Sequence, residues 1–180
     1  IAVREIFPDK TASEIIDQIV NHPSAKLLEY ADFSLVANFD NACLEKLSRN
    51  CPNLKHLLIP RAKISGDALK SLKETPLLRS LDISSCRLLE KDALKHLNKV
   101  PQLQSLCIAG CGQFEKEALG HLKEIPRLQN LNVAGCRQLE KDALKNLREV
   151  PLLQSLNVSF CRQLEMSALE RLQEFPLLRS

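Results

Sequence analysis

The chain has 180 residues, of which 44% are hydrophobic and 26% charged, with a formal net charge of +3. So small a charge gives no reason to expect a nucleic-acid or membrane partner, and an aromatic content of 4% leaves few rings for stacking on single-stranded bases. No apolar run approaches the ~20 residues of a membrane span, and no signal peptide is visible.

The first 25 residues differ from the rest of the chain. Thr11 and Glu14 form a capping-box pattern, which opens an amphipathic stretch that includes Ile15 and Ile16 and ends near Pro23. Residues 1–25 are therefore predicted to form an N-terminal helical cap that covers the open end of the next unit.

Residues 26–180 are predicted to be a repeat array of about five complete units of 24–26 residues and the start of another. The residues 26–51 and 52–75 carry the pattern in weaker form, and four later units contain a cysteine every 25 residues, at Cys86, Cys111, Cys136 and Cys161. Within a unit, Leu-x-x-Leu-x-Ile/Val alternates at the strand period, Ala-Leu-x-x-Leu has helical spacing, and a proline follows. One strand and one helix per unit predict an α/β solenoid. Because residues 176–180 repeat the opening of a unit, we expect the natural protein to continue.

The four equivalent cysteines lie in stacked units, so their side chains point in parallel and their sulfurs do not converge. We therefore expect free, buried thiols rather than disulfides or a zinc site, and a reducing compartment, the cytoplasm or the nucleus.

The string LxxLxLxxCxx(I/L)xxxALxxL, with Cys51-Pro52 at one junction, resembles the cysteine-containing class of leucine-rich repeats, as found in F-box substrate receptors and related intracellular proteins. The resemblance implies a right-handed horseshoe solenoid with parallel strands on the concave face and helices on the convex face. The chain departs from the class where Glu90, Glu115 and Glu140 stand near the helix starts, since glutamate is a poorer cap than a hydroxyl residue.

No catalytic constellation, metal site or cofactor motif is expected. His96 and His121 occupy equivalent helical positions without a nucleophile beside them, and the five glycines form no phosphate-binding loop. Cys107 faces the concave surface, where nothing in the sequence would activate its thiol.

The candidate site is the concave face and its rim. The strands are predicted to present small polar side chains, and arginines follow three of the four repeated cysteines, Gly112 taking the remaining place. Phe160 replaces a small residue of the other units, either as a binding anchor or as a packing residue for the next repeat. The predicted partner-binding residues are Asp82, Ser105, Cys107, Asn130, Asn132, Ser155, Asn157, Arg87, Arg137, Arg162 and Phe160.

These features predict a non-catalytic module that binds a partner protein or peptide. Three alternatives stay open: the substrate-recognition part of an SCF-type ubiquitin ligase, which would bind the ligase adaptor through segments outside this chain; the regulatory repeats of a larger enzyme; and a recently duplicated array without a specific ligand.

Overall fold

The computed structural model describes residues 9–140, 142–165, 168, 175 and 177–179. The described chain contains one parallel sheet in which the strands lie side by side in sequence order. The strands are β1 (Tyr30–Asp32), β2 (His56–Leu58), β3 (Ser80–Asp82), β4 (Ser105–Cys107), β5 (Asn130–Asn132) and β6 (Ser155–Asn157). The predicted α/β solenoid with a parallel sheet is confirmed.

The central residue of each strand faces the core. Leu81 pairs in register with Leu57 on one side and Leu106 on the other, and the same column continues to Leu131 and Leu156. All of these leucines are buried. Because side chains alternate across a strand, the residues before and after each leucine face the opposite side of the sheet.

The segments behind the sheet are helical, but most of them are 3₁₀ rather than α. The α-helices are α1 (Ala12–Asn21), α2 (Asn41–Asn50) and α3 (Lys116–Gly120). The 3₁₀ segments are Ala25–Leu27, Gly66–Glu74, Ala93–Lys99, His121–Glu124 and Ala143–Glu149.

The leucine spacing explains the tighter helix. In a 3₁₀ helix the side chains at positions i and i+3 lie above one another, so Leu94 and Leu97 of Ala-Leu-x-x-Leu both face the core. Both side chains are fully buried, as are Leu69 and Leu72 in an earlier unit. Leu169, the next helical leucine of the predicted series, lies outside the described residues.

Helix α1 begins with the predicted capping box. The Glu14 backbone N–H donates to Thr11 Oγ1 at 3.4 Å, and Thr11 N–H donates to Glu14 Oε2 at 2.8 Å. The helix buries Ala12, Ile15 and Ile16 and packs against α2 of the first unit. Helix α1 therefore lies next to the first unit of the array.

The four repeated cysteines form a column inside the array, which we call the cysteine ladder. Each thiol donates to a backbone carbonyl of the preceding unit. The Sγ–O distances are 3.5 Å for Cys86 to Ile59, 3.3 Å for Cys111 to Ile83, 3.2 Å for Cys136 to Ile108 and 3.1 Å for Cys161 to Val133. The ladder therefore ties neighbouring units together through thiol–carbonyl hydrogen bonds, and all seven cysteines of the chain are free.

Among the described helices, none has both the length and the apolar character needed to cross a membrane.

Candidate functional site

The open face of the sheet brings the predicted strand residues together. One row runs across the strands through Asp82, Cys107, Asn132 and Asn157. A second row runs through Ser105, Asn130 and Ser155. These side chains lie opposite the buried leucines and are half-buried or exposed. We call them the strand face.

Three of these residues also serve the fold. The side-chain oxygens of Asp82, Asn132 and Asn157 accept hydrogen bonds from the backbone N–H groups two residues later, at Ser84 (2.8 Å), Ala134 (3.0 Å) and Ser159 (3.0 Å). Such Asx turns fix the path of the chain as it leaves the strand. The sequence interpretation missed this role, although an Asp or Asn at the end of a strand is its usual signal.

Cys107 is half-buried on the strand face. Burial raises the pKa of its thiol, and the carboxylate of Asp82 adds to the rise. The thiol is therefore protonated at neutral pH, which keeps its nucleophilicity low. This agrees with the expectation that nothing near Cys107 activates its thiol.

The strand face continues onto β1 and β2, where it contains an aromatic pair that the sequence interpretation did not include. Tyr30 and His56 are neighbours in register on β1 and β2, and their ring centroids are 6.0 Å apart. Tyr30 is 41% exposed. The pair adds a larger contact surface to a face otherwise made of small polar groups. The sequence could have indicated it, because Tyr30 and His56 occupy the same repeat position as Ser80 on the predicted face.

The predicted rim residues line one open groove of about 600 Å³, which we call the arginine groove. It lies along the turns that follow the strands. Its walls are Arg87, Arg137, Arg162, Phe160 and Gln113, and glycines 110, 112 and 135 complete the lining.

A repeated turn aligns the residues of this groove. The residue before each ladder cysteine has a positive φ, at Ser85 (57°), Gly110 (71°), Gly135 (70°) and Phe160 (61°). Its backbone N–H continues the bonding between units, as where Gly110 N–H donates to Ala134 O at 2.7 Å. Since every unit turns in the same way, the residue after the cysteine emerges at the same place, and the arginines fall into a row.

The arginine groove has no internal charge compensation among the described residues. Arg87, Arg137 and Arg162 are exposed and make no ion pair or side-chain hydrogen bond there. Elsewhere on the surface lysines do pair, as Lys55 with Glu29 at 2.6 Å and Lys123 with Glu149 at 3.1 Å. The groove is thus a local concentration of positive charge on a chain whose overall charge is small.

Phe160 is the most exposed large hydrophobic residue of the described chain, at 83%. It lines the arginine groove on one side and a second depression beside β6 on the other. A bulky residue at positive φ is unfavourable, so the backbone conformation of Phe160 lowers the stability of the fold. Burial of the ring does not offset this cost. Both interpretations of Phe160, anchor and packing residue, are compatible with this position.

Of the four histidines, His96 has a carboxylate as a neighbour. His96 Nε2 lies 3.7 Å from Asp67 Oδ1 on the helical side of the array. Burial and the neighbouring Lys70 and Lys95 lower the pKa of His96, so its imidazole is mostly neutral at pH 7. Within the described part of the chain, no cluster of three or more His, Cys, Asp or Glu side chains could hold a metal ion.

Comparison with known proteins identifies the fold. No family model matches the chain, and no curated protein matches it. Among solved structures, leiomodin-1 actin-binding site 2 matches with a TM-score of 0.51 and 16% identity, over 73% of this chain and 92% of that one. The C-terminal domain of Caenorhabditis elegans tropomodulin matches with a TM-score of 0.55 and 17% identity, over 74% and 89%.

A third structure, the yeast complex of Rad7 and Elc1, matches over 92% of this chain and 64% of that one, with a TM-score of 0.51 and 17% identity. The chain has the leucine-rich-repeat fold. Identities this low carry the likeness of fold and nothing finer. Two of these three structures are named for binding, one as an actin-binding site and one as a complex of two proteins.

Proposed function

We propose that this chain is a non-catalytic module that binds a partner protein or peptide through the strand face and the arginine groove. The observation that carries the proposal is the convergence of three uncompensated arginines and an 83% exposed phenylalanine on one open groove. Arginine is one of the residues most often found at the energetic centre of protein interfaces, and phenylalanine is enriched at interfaces relative to the rest of the surface.

The strand face supports the proposal by its extent and chemistry. Six strands at a spacing of about 4.8 Å give a surface of roughly 25 Å, which with the groove is comparable to one side of a standard interface. Asn130 and Ser105 offer side-chain groups that no hydrogen bond described in the structure uses. The strand face would then supply area and hydrogen bonds, and the groove would supply charge and an apolar contact.

A matched pair of substitutions tests the proposal. Asn130→Arg places a large side chain on the strand face, whereas Asn98→Arg makes the same change on the exposed helical side. A partner captured by the unchanged protein and identified by mass spectrometry should be lost with Asn130→Arg and retained with Asn98→Arg. Equal recovery of the same partner by both variants would exclude the strand face as the binding surface.

Several finer assignments belong to this proposal. The cysteine ladder supports membership of the cysteine-containing repeat class, because its thiols fill the position between units and bond to backbone carbonyls. Free, protonated thiols support a cytoplasmic or nuclear location. Residues 1–25 as an end cap and 26–180 as the repeats remain our proposed division of the chain.

The first two alternatives would use the same surface, and each alternative has its own test. A substrate receptor of an SCF-type ubiquitin ligase predicts that the full-length protein co-purifies with the ligase adaptor, while the repeat part alone binds only the substrate. A regulatory part of an enzyme predicts a catalytic rate that changes when a partner occupies the groove. An array without a ligand predicts that neither the unchanged protein nor any of its variants captures a specific partner.

A further inference from the structure

We propose that the arginine groove binds an acidic, extended peptide segment of the partner, with an apolar residue of that segment placed against Phe160. This inference rests on the proposed function and names the chemistry of the partner.

The arginines of the groove are close enough together to favour an acidic ligand. Arg137 and Arg162 belong to adjacent units, so their backbone positions are about 4.8 Å apart. Arg87 lies two units before Arg137, and Gly112 occupies the unit between them. Like charges held this close favour an anionic group between them. Guanidinium groups bind carboxylates in a planar, two-point geometry, which makes aspartate and glutamate side chains suitable ligands.

The glycines and the length of the groove suit an extended peptide. Gly110, Gly112 and Gly135 have no side chains at their places in the lining, so the backbone of a peptide can approach closely there. From Arg87 to Arg162 the row spans three units, or roughly 14 Å, which an extended chain covers in about four or five residues. Phe160 at the same groove provides an apolar contact for one residue of such a segment.

An acidic peptide fits better than a nucleic acid. Among the described residues one aromatic ring lines the groove, whereas proteins that hold single strands stack successive bases on several.

Gly112 allows a test by gain of affinity. It occupies the position that holds arginine in the units of Arg87, Arg137 and Arg162, and a Cβ added there would meet no atom within 4 Å. Gly112→Arg should therefore complete the row without disturbing the fold.

The probe is a fluorescein-labelled ten-residue peptide in which glutamates surround one leucine, measured by anisotropy. The matched peptide has glutamine in place of every glutamate, and a labelled oligothymidylate serves as the nucleic-acid probe. We expect Arg137→Gln with Arg162→Gln to weaken binding of the acidic peptide about tenfold and Gly112→Arg to strengthen it about threefold. Arg127→Gln, an exposed arginine outside the groove, should change it less than about twofold. Thermal unfolding of each variant checks that its fold is retained.

A selection of random peptides on the unchanged protein separates the two proposals. Enrichment of acidic peptides that are lost with the double arginine variant supports both. Enrichment of non-acidic peptides, or of peptides unaffected by the arginine changes, overturns the acidic-peptide inference and leaves the binding function standing. Tighter binding of the oligothymidylate than of the acidic peptide also overturns the inference. No enrichment, together with no binding of the probe, overturns the inference and the peptide-binding function it rests on.

Discussion

Phe160 combines two properties that are unfavourable for a folded chain in isolation. Its φ of 61° lies in the left-handed region, and its ring is 83% exposed. The equivalent positions hold Ser85, Gly110 and Gly135, which are small residues that adopt this conformation at lower cost. A residue that costs stability and gains no burial is a reasonable candidate for a contact made with another molecule.

Replacing this residue should separate stability from binding. We expect Phe160→Gly to raise the free energy of unfolding by about 1 kcal/mol, because glycine relieves the strain at positive φ. The same variant should bind the acidic, leucine-containing peptide more weakly. Urea denaturation measures the first effect and anisotropy the second.

The control for this prediction is Ser85→Gly, which removes a milder strain at the equivalent turn and leaves the aromatic ring in place. It should bind the peptide as the unchanged protein does. A loss of stability in Phe160→Gly would instead favour the second interpretation of Phe160, as a packing residue of the array.

Individual residues on the strand face were only partly predictable. Alternation along the strand places Asp82 and Asn132 on the open face, and the structure agrees. Their bonds to the backbone of Ser84 and Ala134 depend on the direction in which the chain leaves the strand, and periodicity does not contain that direction. For this reason Asp82 and Asn132 are poor choices for testing binding, since changing them also alters the turn.

At the level of elements, the positions of strands and helical segments follow from the leucine spacing, but the type of helix does not. Ala-Leu-x-x-Leu is compatible with both α and 3₁₀ geometry, because residues three apart lie on one face of either helix. The choice depends on how closely neighbouring units pack, which is a property of the stacked array. Of the helical segments whose bounds are described, α2 and the short α3 are the α-helices of the repeat region.

Helix starts are supported between units in a way that the sequence did not show. Glu90 was expected to be a weak cap of its own helical segment. Its Oε2 instead accepts a hydrogen bond from Gly66 N–H at 2.6 Å, at the start of the helical segment in the preceding unit. A carboxylate at a helix N-terminus both satisfies a free donor and interacts favourably with the helix dipole.

We therefore expect Glu90→Ala to lower the free energy of unfolding by about 1 kcal/mol, because Gly66 N–H loses its acceptor. Glu90→Gln keeps an oxygen in place and should lose less. Glu115→Ala is the matched control, since Glu115 occupies the equivalent position and caps nothing by its side chain. Chemical denaturation of the three variants checks the order, and an equal loss for Glu90→Ala and Glu115→Ala would contradict it.

At the level of the whole molecule, the period of 25 residues predicts the stacking of units and the row of arginines. It does not predict that Arg87, Arg137 and Arg162 line one groove together with three glycines. The groove is open because glycine has no side chain to fill it, and these positions do not hold glycine in every unit. The apolar ring of Phe160 at the same place is likewise a departure from the repeat. The candidate site is thus found where the repeat is interrupted, at Gly112 and Phe160.

The cysteine ladder gives the whole array a pH dependence. Burial raises the pKa of Cys86 to about 12, of Cys111 to about 11 and of Cys136 to about 12, from an ordinary value of 9.0. Between pH 9 and 11 the unfolded chain therefore loses thiol protons that the folded chain keeps. Because the folded state then binds more protons, its stability is full below about pH 9 and falls as pH rises.

The expected result is a free energy of unfolding that declines between pH 9 and 10.5, by up to about 1.4 kcal/mol per pH unit for each ladder thiol. Urea denaturation in the presence of a phosphine reductant at several pH values measures the slope. Cys136→Ala removes one buried thiol and its bond to Ile108 O, so it should be less stable at pH 8 and show a shallower decline. Cys107→Ala removes the half-buried thiol and should change stability at pH 8 less. Parallel slopes for the unchanged protein and Cys136→Ala would show that Cys136 does not keep its proton in the folded array, and would remove this thiol as a source of the decline.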